Sequence, residues 1–389
     1  MKRSKNTESY RYNPVLVRSG IFLYHLVIFL IRIFGNLKIT RSNFMTKLSL
    51  YLGFLSLLFI TSCKEKTVKD LVTEYHNTGK LNGSVLLAKN DTILCDTTLG
   101  YSNFKEKVLL KKNTPIYIAS LSKPFTAIAI MLLQQKGVLN YNDKASKYIK
   151  ELPKYAQQIT IYQLLTHTSG LKDYEGILKQ NENLTNKTVL KWLQNLSSLN
   201  FPSGTKYEYS NSGYVLLSLI IEYSSGKIFN EFIEENILIP LKMKHTFVYD
   251  ETKPEILDKA VGFNKENQTD DYNQLTTGDG GIYSTPSDLY KLDKALRSST
   301  FINKENQKLM YETPMLENKK KGEYGFGWFI LNENNTKIAM HTGGLNGFRS
   351  LFWRDLDHNI TLITLTNQGD SFPVYDFLND VKKVISKQQ

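Results

Sequence analysis

The chain has 389 residues, 41% of them hydrophobic and 22% charged, and this is the composition of a globular protein holding one large domain or two ordinary ones. Its net charge of +12 is concentrated at one end: residues 1–62 carry nine Lys/Arg against one Glu, leaving only +4 on the remainder. That remainder has no basic run interleaved with aromatics, so nucleic acid is not an expected partner. The two cysteines, Cys63 and Cys95, make no disulfide framework, and the six histidines include no His-Glu-X-X-His pair, so neither a metal nor another cofactor is expected.

In chain order, the apolar run 21–34 is broken by His25 and Arg32 and is short for a membrane span. A second run, 48–60, follows Met45-Thr46-Lys47 and exits through Thr61-Ser62-Cys63, which gives it the basic start, apolar centre and small-residue end of a secretory signal. It resembles a bacterial lipoprotein signal with Cys63 as the lipidated residue, and it implies a protein held by lipid in the cell envelope, on the periplasmic side or at the cell surface. An uncleaved membrane anchor is the alternative. The expected division is an extension upstream of the true start at 1–44, a signal peptide at 45–62, a tether at 63–70 and one catalytic domain at 71–389.

Residues 68–78 read as a helix, and 84–88 and 92–98 as strands of a hairpin around Lys89-Asn90-Asp91. The middle, about 140–300, reads as helical and loop-rich: a helical stretch at 192–199, a turn at 201–204, a helix at 215–223, a flexible glycine loop at 278–281, and a Ser/Pro-led helix start at 284–289. Strands return at 324–332, 338–341, 349–353 and 360–366, and 377–385 closes the chain as a helix. Strands at both ends with helices between them predict an α/β (α+β) fold, in which an antiparallel sheet built from N- and C-terminal segments is flanked by helices and carries an inserted, mostly helical subdomain.

The chemistry centres on Ser120-Leu121-Ser122-Lys123. Residues three apart on a helix share a face, which brings a serine hydroxyl within reach of a lysine amine, and an apolar setting at a helix N-terminus favours the neutral amine that a base requires. Four other Ser-X-X-Lys matches, at Ser102, Ser169, Ser203 and Ser224, lie beside glycines or in turn-like surroundings. Only Ser120 opens a long apolar stretch, which ends at Lys136-Gly137 and tolerates Pro124 in its first turn. A plain core helix with a polar N-cap is the competing explanation.

With Tyr209-Ser210-Asn211 and His341-Thr342-Gly343 downstream, the ordered set resembles the three motifs of the β-lactamase-related serine hydrolases, in the class C branch with its esterases and D-amino-acid peptidases. The stretches 164–171 and 324–328 resemble that branch too. The resemblance implies a serine β-lactamase or penicillin-binding-protein-like fold and an acyl-enzyme formed by Ser120 on an ester or amide, from a small-molecule or peptide substrate. Lys123 and Tyr209 are both candidate bases. Asn211 either donates to the substrate or holds Lys123. Thr342 and Gly343 would line the cleft for a substrate paired along their strand, with the Ser120 and Gly344 amides as the oxyanion hole.

His341 stands where β-lactamases carry a lysine. A partly charged histidine should recognise a substrate carboxylate more weakly, which favours an esterase or peptidase over a β-lactamase or DD-carboxypeptidase. His167, in a Thr/Ser/Gly loop, is expected to be structural. From another functional class, the rival is a ligand-binding or sensing lipoprotein that keeps the fold without turnover.

Overall fold

The computed structural model describes residues 65–175, 184–250, 258–272, 275–317 and 319–387. The chain divides into two units, Met1–Glu65 and Lys66–Gln389. The expected extension, signal peptide and Cys63 lie outside the described residues.

Helix α1 (Val68–Asn77) opens on a capping box in which Thr67 and Asp70 satisfy each other's backbone amides. Strands β1 (Gly83–Lys89) and β2 (Thr92–Leu99) form the expected hairpin, turning at Asn90 and Asp91 with φ of 48° and 62°; both residue types accept the left-handed conformation. After the short pair β3 (Tyr101–Asn103) and β4 (Val108–Leu109), β5 (Ile116–Tyr117) leads to a 3₁₀ turn, Ala119–Ser122, that runs directly into α2 (Lys123–Gln135). The middle contributes α3 (Ile161–Leu165), α4 (Asn186–Gln194), α5 (Asn211–Ser225), α6 (Phe229–Ile233), β6 (Phe247–Val248), β7 (Ile282–Ser284), α7 (Pro286–Arg297) and α8 (Lys304–Met310). The end supplies β8 (Phe329–Glu333), β9 (Thr336–Leu345), β10 (Phe348–Asp355), β11 (Ile360–Thr366) and α9 (Val374–Lys387).

The main sheet is antiparallel with strand order β2-β1-β11-β10-β9-β8, so the first two strands of the fold pair with the last four. Alternation along β1 sorts the core. Val85 and Leu87 join the layer under α1 and α9, while Leu86 and Ala88 join the larger layer containing α2 and α5. Helix α2 is buried from Lys123 to Leu133 without a break, as is α5 from Asn211 to Ile221, and these two central helices pack on each other. A helix apolar on every side has no solvent face to turn outward.

Three expectations are corrected. Residues 324–328 are not strand: Gly327, at φ 83°, brings the backbone against α2, where a Cβ would stand 2.7 Å from Pro124 Cα. The middle helix runs 186–194 rather than 192–199, because Thr185 caps it by accepting from the Thr188 amide. The loop 278–281 is packed rather than free, since a Cβ at Gly278 would stand 2.3 Å from Tyr214 O and one at Gly280 2.7 Å from Tyr117 Oη.

Candidate active site

Ser120 sits in the 3₁₀ turn, not at the helix cap. Ala119 before it has φ of 49°, a left-handed conformation that costs a non-glycine residue energy and bends the chain sharply out of β5. The bend is held from both sides: Ile118 N donates to Ile282 O at 3.0 Å, and Ser350 Oγ donates to Ile118 O at 2.8 Å.

One helical step on, Lys123 is 0% exposed. Its Nζ lies 3.1 Å from Ser120 Oγ, 2.7 Å from Asn211 Oδ1 and 2.9 Å from Asp279 O. An ammonium would donate to all three. A neutral amine would donate to Asn211 and Asp279 and keep its lone pair for the serine proton. Burial favours that neutral form and pulls the lysine down to about 8, against the opposing pull of Asp279, Asp173 and Glu175.

Asn211 is fixed in orientation. Its Nδ2 donates to Asp173 Oδ2 at 3.1 Å and Glu175 Oε2 at 2.6 Å, which leaves Oδ1 for the lysine. The first residue of α5 is therefore tied to the first residue of α2. Tyr209, two residues upstream, lays its half-buried ring 4.9 Å from Lys123 Nζ and its hydroxyl against Ser120. A neighbouring cation alone would depress this phenol. Desolvation instead holds it well above its ordinary value, although the contact with Ser120 pulls the other way.

His167 supports Tyr209 rather than Ser120. The two rings lie 4.2 Å apart, and the histidine's Nδ1 accepts from Ser210 N at 3.1 Å, so Tyr209 is held from beneath.

Strand β9 passes beside the serine turn. A Cβ at Gly343 would stand 2.2 Å from Ile118 O and 3.1 Å from Ser120 N, so only glycine fits there. Gly344, exposed at the next position, lines a small cleft together with Ser120 and Asn211. Thr342 is half-buried, and its carbonyl takes the His341 Nδ1 proton at 2.6 Å. That bond fixes the tautomer and leaves Nε2 to accept from Tyr324 Oη at 2.8 Å. The expectation of a partly charged His341 is thereby corrected: at 1% exposure, burial pushes it down to about 3, with Lys123 adding to the effect.

The β-lactamase family profile matches residues 66–385. The chain belongs to the β-lactamase family. This family of serine hydrolases includes penicillin-binding protein 4* of Bacillus subtilis (strain 168), to which the chain is 36% identical over 79% of its length and 73% of that protein's. It is 26% identical to protein flp of Staphylococcus aureus (strain MW2) over 80% of the chain, and spans 65% of that longer relative. Among solved structures, the penicillin-binding protein from Bacillus halodurans superposes with a TM-score of 0.71 at 25% identity, covering 80% of this chain and 99% of that one. The serine β-lactamase or penicillin-binding-protein-like fold is thus established along with the family.

Of the residues singled out in the sequence, the structure brings together Ser120, Lys123, Tyr209, Asn211, Gly343 and Gly344. His341 lies behind Tyr209 in an aromatic cluster with Tyr324 and Phe329, its ring 6.3 Å from that of Tyr209. Sequence reasoning missed Asp173, Glu175 and Asp279. An acid set among three glycines at 278–281 was the available signal for the last. Asp173 and Glu175 lie in an aperiodic loop with no signal of their own.

Proposed function

We propose that this family member hydrolyses an ester or amide through an acyl-enzyme on Ser120, as an esterase or peptidase, with Lys123 as the base. The observation that carries this reading is the 3.1 Å approach of a fully buried lysine amine, drawn down to about 8, to the serine hydroxyl. Ser120 Oγ bonds to the carbonyl carbon and passes its proton to Lys123. The bond to the leaving oxygen or nitrogen then breaks as that atom takes up the proton, and water repeats the sequence to free the acid. The Ser120 and Gly344 amides would stabilise the oxyanion. Tyr209, its phenol held above its ordinary range, serves better as a relay than as the base: it would give its own proton to the leaving group and regain the one Lys123 took from Ser120.

A second reading, acylation by penicillins, is favoured by the name of the 36%-identical relative. The neutral, buried His341 offers no cation for a β-lactam carboxylate, so weak binding and slow acylation are expected on that path. Turnover of p-nitrophenyl butyrate, a chromogenic cephalosporin and a D-Ala-D-Ala peptide, compared side by side, tests both readings. Fastest turnover of the ester supports the first and fastest turnover of the cephalosporin the second. Binding of any one with no turnover of all three would mark a ligand-binding module instead.

Lipid attachment at Cys63 and an envelope location are part of the same proposal, supported by the run 45–63 alone. Mass spectrometry of the membrane fraction tests it: a lipidated Cys63 is expected, and an unmodified mature N-terminus elsewhere would remove it.

A further inference from the structure

A general base must commit its N–H groups elsewhere if its lone pair is to meet the nucleophile. Lys123 has two partners besides Ser120: Asn211 Oδ1 at 2.7 Å and the Asp279 carbonyl at 2.9 Å. Both residues are held by one short segment, 173–175, that belongs to neither α2 nor α5. Asp173 Oδ2 accepts from Asn211 N at 3.3 Å and Nδ2 at 3.1 Å, and Glu175 Oε2 accepts from the same Nδ2 at 2.6 Å. Between them Tyr174 is buried; its Oη donates to Asp279 Oδ2, and its backbone N donates to Ser212 Oγ at 3.0 Å. Asp279 Oδ1 has no partner among the described residues, so Tyr174 is what fixes this carboxyl side chain.

The competing explanation is a helix cap. Ser210, at the N-cap of α5, makes no side-chain cap hydrogen bond, and Asp173 meets the next amide instead. A cap accounts for the Asn211 N contact alone. It leaves unexplained the contact with the Asn211 side chain and the reach of Tyr174 to Asp279. Asp173 Oδ1 also accepts from Glu175 N at 3.1 Å, which closes the segment into a fixed turn. Burial raises the Asp173 carboxyl, and the Glu175 and Asn211 amides and the Lys123 charge oppose that rise. The carboxylate and the lysine are therefore coupled through the amide that lies between them.

We propose that Asp173 and Tyr174 are positioning residues for the base: through Asn211 and Asp279 they aim the Lys123 amine at Ser120, and the Asp173 charge sets the pH at which that amine becomes free. This rests on the acyl-enzyme reading above and adds to it the residues that hold its base. Without Asp173, only the exposed Glu175 keeps Asn211 Nδ2 turned away from the lysine. An amide turned the other way offers the amine no acceptor. The charged and titratable groups facing Lys123 are Asp279, Asp173 and Glu175, which favour the ammonium, with the phenols of Tyr209 and Tyr214 and the neutral His167 and His341. Removing the negative charge at Asp173 disfavours the ammonium, so the free base forms at lower pH.

The test measures kcat and KM for p-nitrophenyl butyrate from about pH 6 to pH 10 in wild type, Asp173→Asn, Asp173→Ala and Tyr174→Phe, with urea unfolding of each. A neutral ester leaves the rise in kcat/KM to the enzyme's own base. Asp173→Asn keeps an acceptor for Asn211 but loses the charge. Its midpoint should move towards acid by about 0.3 pH unit or more, with a high-pH rate close to that of wild type. In Asp173→Ala and Tyr174→Phe the amine is no longer aimed. Their high-pH kcat should fall about tenfold to a hundredfold, as for a catalytic group displaced by about 1 Å, with KM changing less. A helix cap alone would move stability and neither of these. An unmoved midpoint in Asp173→Asn, or a wild-type plateau in Asp173→Ala or Tyr174→Phe, overturns the inference and leaves the hydrolase reading standing. If Asp173→Ala does not fold, the other two variants decide. A wild type that neither turns over butyrate nor takes a fluorophosphonate on Ser120 removes both.

Discussion

Gly343 on strand β9 stands against the backbone of Ser120, so close that a Cβ on the glycine would lie 3.1 Å from the serine amide nitrogen and 2.2 Å from Ile118 O. The Ser120 turn and the cleft-lining strand are thus in backbone contact, and the oxyanion site proposed between them depends on a missing side chain. Gly343→Ala should push β9 away from the turn. A stability loss of about 1–3 kcal/mol is expected for overpacking of this kind, together with a loss of ester turnover larger than the change in KM. Urea unfolding and steady-state kinetics check it, and unchanged kcat with normal stability would contradict the close approach.

The buried amine of Lys123 makes activity depend on pH in a stated direction. Its folded-state value is lowered to about 8, so the neutral base accumulates as pH rises through that region and is scarce well below it. With a neutral ester, kcat/KM should therefore climb from pH 6 to pH 9. Lys123→Arg keeps the charge at every accessible pH. It should lose about 10²–10⁴ of the rate, the usual worth of a general base, and lose the climb as well. A climb preserved in the arginine variant would assign the titration to another group.

His341 links pH to stability rather than to substrate. Burial holds it down to about 3 from an ordinary 6.5, so the folded protein binds that proton more weakly than the unfolded chain does. Its contribution is complete above pH 6.5 and is lost as pH falls towards 3, at about 1.4 kcal/mol per pH unit. His167, also pushed well below its ordinary value by burial, acts in the same direction. Unfolding free energies measured at pH 7, 6 and 5 should fall more gently in His341→Gln than in wild type. Parallel lines would contradict a buried neutral histidine.

Away from the cleft, Arg354 is fully buried against Asp293, with Nε 2.6 Å from Oδ1, and Asp293 also accepts from Arg297 Nε at 3.1 Å and Thr361 Oγ1 at 2.8 Å. This network ties α7 to β10 and β11. Asp293→Asn leaves the Arg354 charge buried without a counter-ion, and a loss of about 3–5 kcal/mol is expected. Denaturant titration checks it, and a loss under about 1 kcal/mol would mean the arginine finds another partner.

The elements with strong local signals were legible in the sequence. Asn90-Asp91 announced the hairpin, the uncharged run after Ser120 announced α2, and the β-branched run 360–366 announced the central strand β11. Ser120, Lys123, Tyr209 and Asn211 were legible as an ordered set. The segments read wrongly are governed by tertiary contact. Residues 324–328 look like a strand until Gly327 packs on Pro124, and 278–281 looks like a free loop until Gly278 wedges against Tyr214. The state of His341 was illegible for the same reason: its charge is set by burial and by Lys123, neither of which can be read from neighbouring residues. The acidic side of the cleft arises from residues 173–175 meeting residue 279 across about a hundred positions, and no local pattern reports that.

The most direct test of the central claim is covalent. Folded protein treated with a fluorophosphonate and analysed by intact and peptide mass spectrometry should carry one adduct, on Ser120, which Ser120→Ala abolishes and Lys123→Ala slows by orders of magnitude. A folded wild-type sample that takes up no adduct, or a Ser120→Ala variant labelled as readily as wild type, would contradict it.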